Sequence, residues 1–182
     1  MQVEVTSIPA VLILKPEVYS DARGEFFESY NRQVFHQATG LDPDFVQDNH
    51  SRSFRGVLRG LHYQIRQPQG KLVRVTAGEV YDVAVDLRKS SPTFGLWVGA
   101  NLSAENRDVM WIPEGFAHGF LVLSEFAEVL YKTTDYYAPQ NERCIRWDDP
   151  DLAISWPLAG VTPCLSVKDG SAMPFRDAEF FS

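Results

Sequence analysis

Cysteine is scarce: Cys144 and Cys164 are the only two in 182 residues. That excludes a disulfide-stapled scaffold, and both thiols are expected to be free, partly buried fillers in a reducing cytoplasm. Long apolar runs are also missing. Nothing approaches the roughly 20 residues a membrane helix needs. The short stretch Ala10 to Leu14 has no basic segment before it and is halted by Lys15-Pro16, so no signal peptide is expected. Excess positive charge is absent. With 17 basic and 24 acidic residues the net charge is −7, which argues against general binding to nucleic acid or an anionic membrane. Helical periodicity is nearly absent as well, the exception being Arg32 to Thr39, which Gly40 is placed to close. What remains is ordinary globular composition, 45% hydrophobic and 23% charged. A chain of this length buries about 70% of its unfolded surface, so residues 1–182 are expected to form one domain.

The pattern that is present is β. Alternating or β-branched runs occur at Val11–Leu14, Glu25–Tyr30, Val57–Tyr63, Leu72–Thr76, Val80–Leu87, Leu96–Leu102, Asp108–Ile112, Gly119–Leu123 and Glu128–Tyr136. Turn chemistry separates them at Asp21-Ala22-Arg23-Gly24, Ala77-Gly78, Ser90-Ser91-Pro92 and Pro139-Gln140-Asn141. Many short strands with so little helix imply an all-β antiparallel sandwich or barrel. From Trp147 onward, Asp148-Asp149-Pro150, Trp156-Pro157 and Pro163 break any regular element. This tail is expected to wrap the β body.

Charge is unevenly placed. Between Asn49 and Gly78 there is no Asp or Glu, yet the segment holds Arg52, Arg55, Arg59, Arg66, Lys71 and Arg74. Arg59, Lys71 and Arg74 fall in strand runs, where burial is expected, and a buried cation needs a counter-charge. An anionic ligand such as a phosphate would supply it.

Pro113-Glu114-Gly115-Phe116-Ala117-His118 has the Pro-x-Gly-x-x-His spacing of the second cupin motif. In that motif a tight turn feeds a strand that aims its His into a jelly-roll barrel. The upstream half corresponds to Gly60-Leu61-His62-Tyr63-Gln64, where metal-binding cupins carry a second His, here Gln64, and Lys71 stands where they offer a carboxylate. Metal sites need three or four converging N or O ligands, so a metal-free barrel is expected.

Strand parity then places the groups. Val129, Tyr131, Thr133, Asp135 and Tyr137 share one face, and Leu58, Gly60, His62 and Gln64 share another. Arg59 points away from His62 in a regular strand, unless Gly60 permits a bulge that turns both inward. Histidine titrates near physiological pH and suits general base work, Tyr131 is a candidate acid, and Lys71 can stabilise an oxyanion such as an enolate. Together they form a kit for moving a proton α to a carbonyl. Each also has a plain packing role open to it, and composition and spacing leave a proton-transfer enzyme only slightly ahead of a sugar- or anion-binding barrel.

Longer strings are more specific. Phe45-Val46-Gln47-Asp48-Asn49-His50-Ser51, Gly56 to Gln64, Gln69-Gly70-Lys71-Leu72-Val73-Arg74-Val75, Trp111 to Phe120, Tyr131 to Tyr137 and Trp147-Asp148-Asp149-Pro150 closely resemble the dTDP-4-dehydrorhamnose 3,5-epimerase family over nearly the whole chain. The resemblance implies a cupin-type antiparallel jelly roll with an N-terminal strand arm and an irregular, short-helical C-terminal tail. It implies no metal or organic cofactor and a homodimer whose arm completes the neighbour's site. The implied reaction converts dTDP-4-dehydro-6-deoxy-D-glucose to dTDP-4-dehydro-L-rhamnose, a step toward rhamnose-containing surface polysaccharides. By position, His62 resembles the base, Asp169 the carboxylate that polarises it, Tyr131 the acid on the opposite face of the sugar, and Lys71 the cation beside the C4 oxygen. Arg23, Phe26, Glu28, Gln47, Asn49, Arg59, Lys71, His118, Tyr137, Glu142 and Lys168 match substrate-contacting positions, and Tyr137 competes with Tyr131 for the acid role. A mono-epimerase, a 3,4-ketoisomerase and a non-catalytic sugar-nucleotide-binding cupin remain as rivals.

Overall fold

The computed structural model describes residues 1–182. Thirteen strands are present: β1 (Gln2–Val5), β2 (Leu12–Lys15), β3 (Val18–Asp21), β4 (Gly24–Phe27), β5 (Gln47–Phe54), β6 (Leu58–Gln64), β7 (Lys71–Ala77), β8 (Glu79–Asp86), β9 (Trp97–Ser103), β10 (Val109–Ile112), β11 (Phe116–Val122), β12 (Phe126–Thr133) and β13 (Glu142–Cys144). They form a six-stranded sheet ordered β1-β2-β10-β7-β12-β5, a five-stranded sheet ordered β13-β6-β11-β8-β9, and the separate hairpin β3-β4. From β5 onward the chain changes sheet at every step except β8 to β9. That alternation makes the antiparallel double sheet of a jelly roll.

Period-two patterning explains what each sheet buries. In β7, Val73 and Val75 face the other sheet, where they meet Val80, Ala84, Phe116, Phe120 and Val122 in the central core. Leu72, on the opposite face of the same strand, points outward and packs with Leu12, Leu14, Val109 and Trp111. That outer patch is covered by helix α1 (Arg32–Thr39) through its wholly buried Phe35. The helix starts where Asn31 accepts from the backbone N–H groups of Gln33 and Val34, and ends at Gly40, whose φ of 73° only glycine adopts freely.

The tail wraps the outer face of the five-stranded sheet. Leu152, Trp156, Phe175, Phe180 and Phe181 pack over Leu61, Tyr63, Val85 and Leu87. Buried Asp149 anchors this wrap by accepting from the backbone N–H groups of Asp151, Leu152 and Phe175. Arg143 pairs with Glu179 of the tail at 2.6 Å. The tail's short α-helix, α2 (Val167–Gly170), is capped by Ser166, whose Oγ accepts from the Asp169 N–H.

The structure corrects the sequence reading in several places. Strands β1, β3, β5 and β13 lie outside the runs expected to be strands, and β1, QVEV, alternates but is only four residues long and largely exposed. β5, with the sequence QDNHSRSF, is polar on both faces. The turn at Ala77-Gly78 separates β7 from β8 as expected, and it carries the chain from one sheet to the other. Cys144 is buried, but Cys164 is exposed rather than a core filler.

The Gly60 bulge is present. His118 pairs with His62 and Phe120 with Arg59, so three steps along β6 oppose two along β11. Gly60 sits at φ +114°, and a Cβ there would stand 2.6 Å from both the Gly119 Cα and the His118 carbonyl oxygen. Gly60→Ala is therefore expected to destabilise the fold by at least about 2 kcal/mol, read as a drop in thermal midpoint. A melt unchanged from wild type would mean that the bulge is not fixed by this contact.

Candidate active site

A polar cleft of about 790 Å³, its open mouth included, lies between the two sheets. The five-stranded sheet contributes Arg59, His62 and Gln64 from β6, His118 from β11 and Glu142 from β13. The six-stranded sheet contributes Gln47, Asn49 and Ser51 from β5, Lys71 from β7 and Tyr131 from β12. His62 and Tyr131 thus reach one cavity from opposite walls. The bulge is what lets Arg59 and His62 share it.

His62 Nε2 lies 2.5 Å from Asp169 Oδ1, and Asp169 is only 3% exposed. Burial alone would raise the Asp169 carboxyl. The hydrogen bond and charge of His62, with donors from Ser166 and Cys144, reverse that and hold it down at about 2. Ser166 Oγ is 2.8 Å from Oδ2, and Cys144 Sγ is 3.6 Å from Oδ1. A carboxylate only accepts, so the His62 Nε2 carries the proton in this pair. In the neutral ring that leaves Nδ1 as the basic atom. Burial beside this carboxylate pushes the Cys144 thiol up to about 12, so it stays a donor. His62, Cys144 and Asp169 bring their ligand-type atoms within 4.8 Å of one another. At 2.5 Å, however, the His62 and Asp169 atoms are hydrogen-bonded to each other, closer than the roughly 3.3 Å between ligands about 2.0 Å from a tetrahedral zinc.

Lys71 is 7% exposed, and its Nζ finds only the His62 carbonyl, at 3.4 Å. Burial pulls its ammonium down to about 8 against the attraction of Asp82 and Glu142. It is the one cation of the acid-free segment that burial claims. Arg59 lines the cleft but is exposed, with its Nε donating to Ser53 Oγ, and Arg74 is half-buried on the outer sheet face. The expected burial of those two is corrected by the structure. A strand position that opens on a cleft or an outer face keeps its guanidinium wet.

His118 is buried with its Nε2 at 2.9 and 3.0 Å from the two Asp82 oxygens. Burial lowers its pKa, so at neutral pH it is an uncharged donor fixed to the barrel wall. Burial raises the Tyr131 phenol, which keeps its proton well above neutral pH, as an acid requires. Tyr137 lies beyond the end of β12, is 54% exposed, and donates to Glu142 Oε2 at 2.9 Å. The second oxygen of Glu142 takes Lys168 Nζ at 2.6 Å. These bonds overcome the upward push of burial and hold Glu142 below its usual range. Of the two phenols, only Tyr131 sits deep in the cleft.

The arm residues stand apart from all this within one chain. Arg23 is bonded to Asp21, Glu28 accepts from Asn31, and Phe26 is 68% exposed on the β3-β4 hairpin. Cys144 and Ser166, which both bond the Asp169 carboxylate, were missed by sequence reasoning. No local spacing pointed to Cys144, whereas Ser166-Val167-Lys168-Asp169 has the capping-box spacing that pairs Ser166 with Asp169.

The profile of a family described as dTDP-4-dehydrorhamnose 3,5-epimerase matches residues 5–177. The chain belongs to that family. It is 65% identical over 175 residues to a dTDP-4-dehydrorhamnose 3,5-epimerase of Pseudomonas aeruginosa, covering 96% of both sequences. Among solved structures it is similar to a dTDP-6-deoxy-D-glucose-3,5-epimerase from Legionella pneumophila in complex with dTDP-4-keto-L-rhamnose. That match has 53% identity and a TM-score of 0.95, and it covers 98% of this chain and 94% of the other. A 3′-monoepimerase from Streptomyces bikiniensis in complex with dTDP-quinovose is also similar, at 36% identity and a TM-score of 0.87, covering 96% and 87%. Members of this isomerase family thus share one jelly roll whether the name specifies one inverted centre or two.

Proposed function

We propose that the chain epimerises C3 and C5 of dTDP-4-dehydro-6-deoxy-D-glucose to give dTDP-4-dehydro-L-rhamnose, within dTDP-L-rhamnose biosynthesis. The observation that carries this reading is His62 on one sheet, paired with Asp169 of the tail, facing Tyr131 on the other sheet, with Lys71 in the same cleft. The C4 ketone acidifies the hydrogens at C3 and C5. His62 removes each in turn, the electron pair moves onto the C4 oxygen beside Lys71, and Tyr131 returns a proton to the opposite face of the carbon. Asp169 stabilises the imidazolium that forms. Arg59 and Lys168 offer cations to the diphosphate, and Gln47, Asn49, His118, Tyr137 and Glu142 contact the substrate around them.

Arg23, Phe26 and Glu28 enter this reading through a second copy. The exposed β3-β4 hairpin, with Tyr19 and Phe26 uncovered and joined to neither barrel sheet, supports an arm that completes the partner's cleft in a homodimer. No helix is long and apolar enough to cross a membrane, and the two free thiols support a cytoplasmic location.

The test is incubation with dTDP-4-dehydro-6-deoxy-D-glucose in deuterated water, following label by NMR. Deuterium is expected at both C3 and C5, with the L-lyxo product forming. Label confined to one carbon after full conversion would make the chain a mono-epimerase. Binding without any label would make it a sugar-nucleotide-binding cupin.

A further inference from the structure

Asp82 is a buried acid to which the proposed reaction gives no task. It stands on β8 and is wholly buried. Val80 and Ala84, two positions to either side, belong to the central core, so by strand parity the Asp82 carboxylate enters the barrel with them. Its one hydrogen-bond partner there is His118, whose Nε2 lies 2.9 and 3.0 Å from the two oxygens. Burial keeps His118 uncharged at neutral pH, so this bond holds the carboxylate without matching its charge. A buried charge is costly unless an opposite one lies near.

Lys71 has the converse deficit. It shares the inward face of β7 with Val73 and Val75 of the same core. It is buried, yet its Nζ forms no ion pair and reaches only the His62 carbonyl. Asp82 and Lys71 thus enter one barrel from different sheets, each without a direct partner of opposite sign. The other groups around Lys71 do not fill the gap. Glu142 of β13 is already bonded to Lys168 of α2 at 2.6 Å, and Lys168 in turn repels Lys71. His62 of β6 is paired with Asp169, Tyr131 of β12 keeps its proton, and β10 brings the uncharged Ile112. Arg59, on the same cleft, is a further cation. Burial lowers the Lys71 ammonium, and of the two acids that oppose this Asp82 pulls the harder.

We infer that Asp82 is a positioning residue for the oxyanion site, its carboxylate acting through the barrel interior as the counter-charge that keeps Lys71 an ammonium, with His118 fixing that carboxylate in place. This rests on the reading of Lys71 as the cation beside the C4 oxygen. Acting at a distance has a chemical advantage over an ion pair. A carboxylate in contact with Nζ would occupy the N–H donors that the enolate oxygen needs, whereas a remote one favours the charge and leaves the donors free.

Asp82→Asn removes the charge and keeps an oxygen to accept from His118. The experiment titrates wild type and this variant by NMR with lysine labelled at the ε-carbon, the Lys71 resonance being the one missing from Lys71→Gln. No turnover is needed, so the result stands even if wild type fails the deuterium test. Lys71 is expected to titrate at about 8 in wild type and about one pH unit lower in Asp82→Asn, and the alkaline limb of kcat/KM is expected to move down with it. An unchanged Lys71 midpoint would overturn the inference. So would a loss of kcat/KM that is equal at every pH and leaves the limb in place, which would make Asp82 a support for His118 alone. If a thermal melt shows that Asp82→Asn does not fold, the wild type decides. With labelled aspartate, the Asp82 carboxylate resonance is expected to step at the Lys71 midpoint and to lose that step in Lys71→Gln. A resonance with no such step would overturn the inference as well.

Discussion

His62→Ala is expected to lower kcat by about 10³-fold, with label exchange at C3 and C5 falling together. General base groups contribute about 10²–10⁴-fold, and here one base serves both carbons, so neither exchange has a substitute route. Asp169 acts through His62, and its loss should be milder. Asp169→Asn keeps the size of the side chain but offers a neutral partner to the ring, so it is expected to lower kcat by about 10²-fold with little change in KM. Tyr131→Phe separates the two walls. Proton removal by His62 survives, so label exchange from the original face continues, while delivery to the opposite face fails and inversion stops. Deuterium exchange followed by NMR alongside product formation reads all three variants. Inversion persisting in Tyr131→Phe at near wild-type rate would move the acid role elsewhere, with Tyr137 next in reach. Exchange persisting at either carbon in His62→Ala would break the single-base scheme.

Lys71 sets the alkaline limb. Its ammonium is the form that stabilises the enolate oxygen, and burial brings its pKa down to about 8. As pH rises through that value the free enzyme loses the cation, so kcat/KM should fall above about pH 8. The Tyr131 phenol is pushed upward and does not titrate in this range. A bound diphosphate favours the ammonium, so the corresponding limb in kcat should lie at higher pH. Lys71→Gln removes the titrating group. It is expected to lower kcat by about 10²–10³-fold, the usual loss when one oxyanion-stabilising donor is removed, and to abolish the limb near pH 8. A pH–rate profile of the variant that retains this limb would assign it to another group.

Much of this protein could be read along the chain. β12 alternates because only its inner face meets the core, and period-two patterning is the direct signature of such one-sided burial. β7 and β8 are more continuously apolar because an outer layer covers their second face as well. Helix α1 announced itself through its period and a closing Gly40, both local devices, and the structure adds the Asn31 cap. The motif strings around His62, Lys71, His118 and Tyr131 are contiguous, and strand parity put Tyr131 on one face with Val129 and Thr133, a face the structure turns inward. β5 escaped for the opposite reason. Its inner face lines a polar cleft and not a core, so function erased the periodicity by which a strand is recognised.

What only the tertiary structure decided are relations between residues far apart in sequence. The sharing of one cleft by Arg59 and His62 depends on a bulge where Gly60 lies against the backbone of β11. His62 meets Asp169 across 107 positions, and Cys144 and Ser166 reach the same carboxylate from other segments. Lys71 follows a turn-like Gln69-Gly70, yet it is buried because the whole barrel closes around it, and that burial sets its titration. Local sequence specifies periodicity, caps and turns, since these are interactions over a few residues. Desolvation and hydrogen-bond partnership are properties of the closed barrel, and the chemistry of the site depends on both.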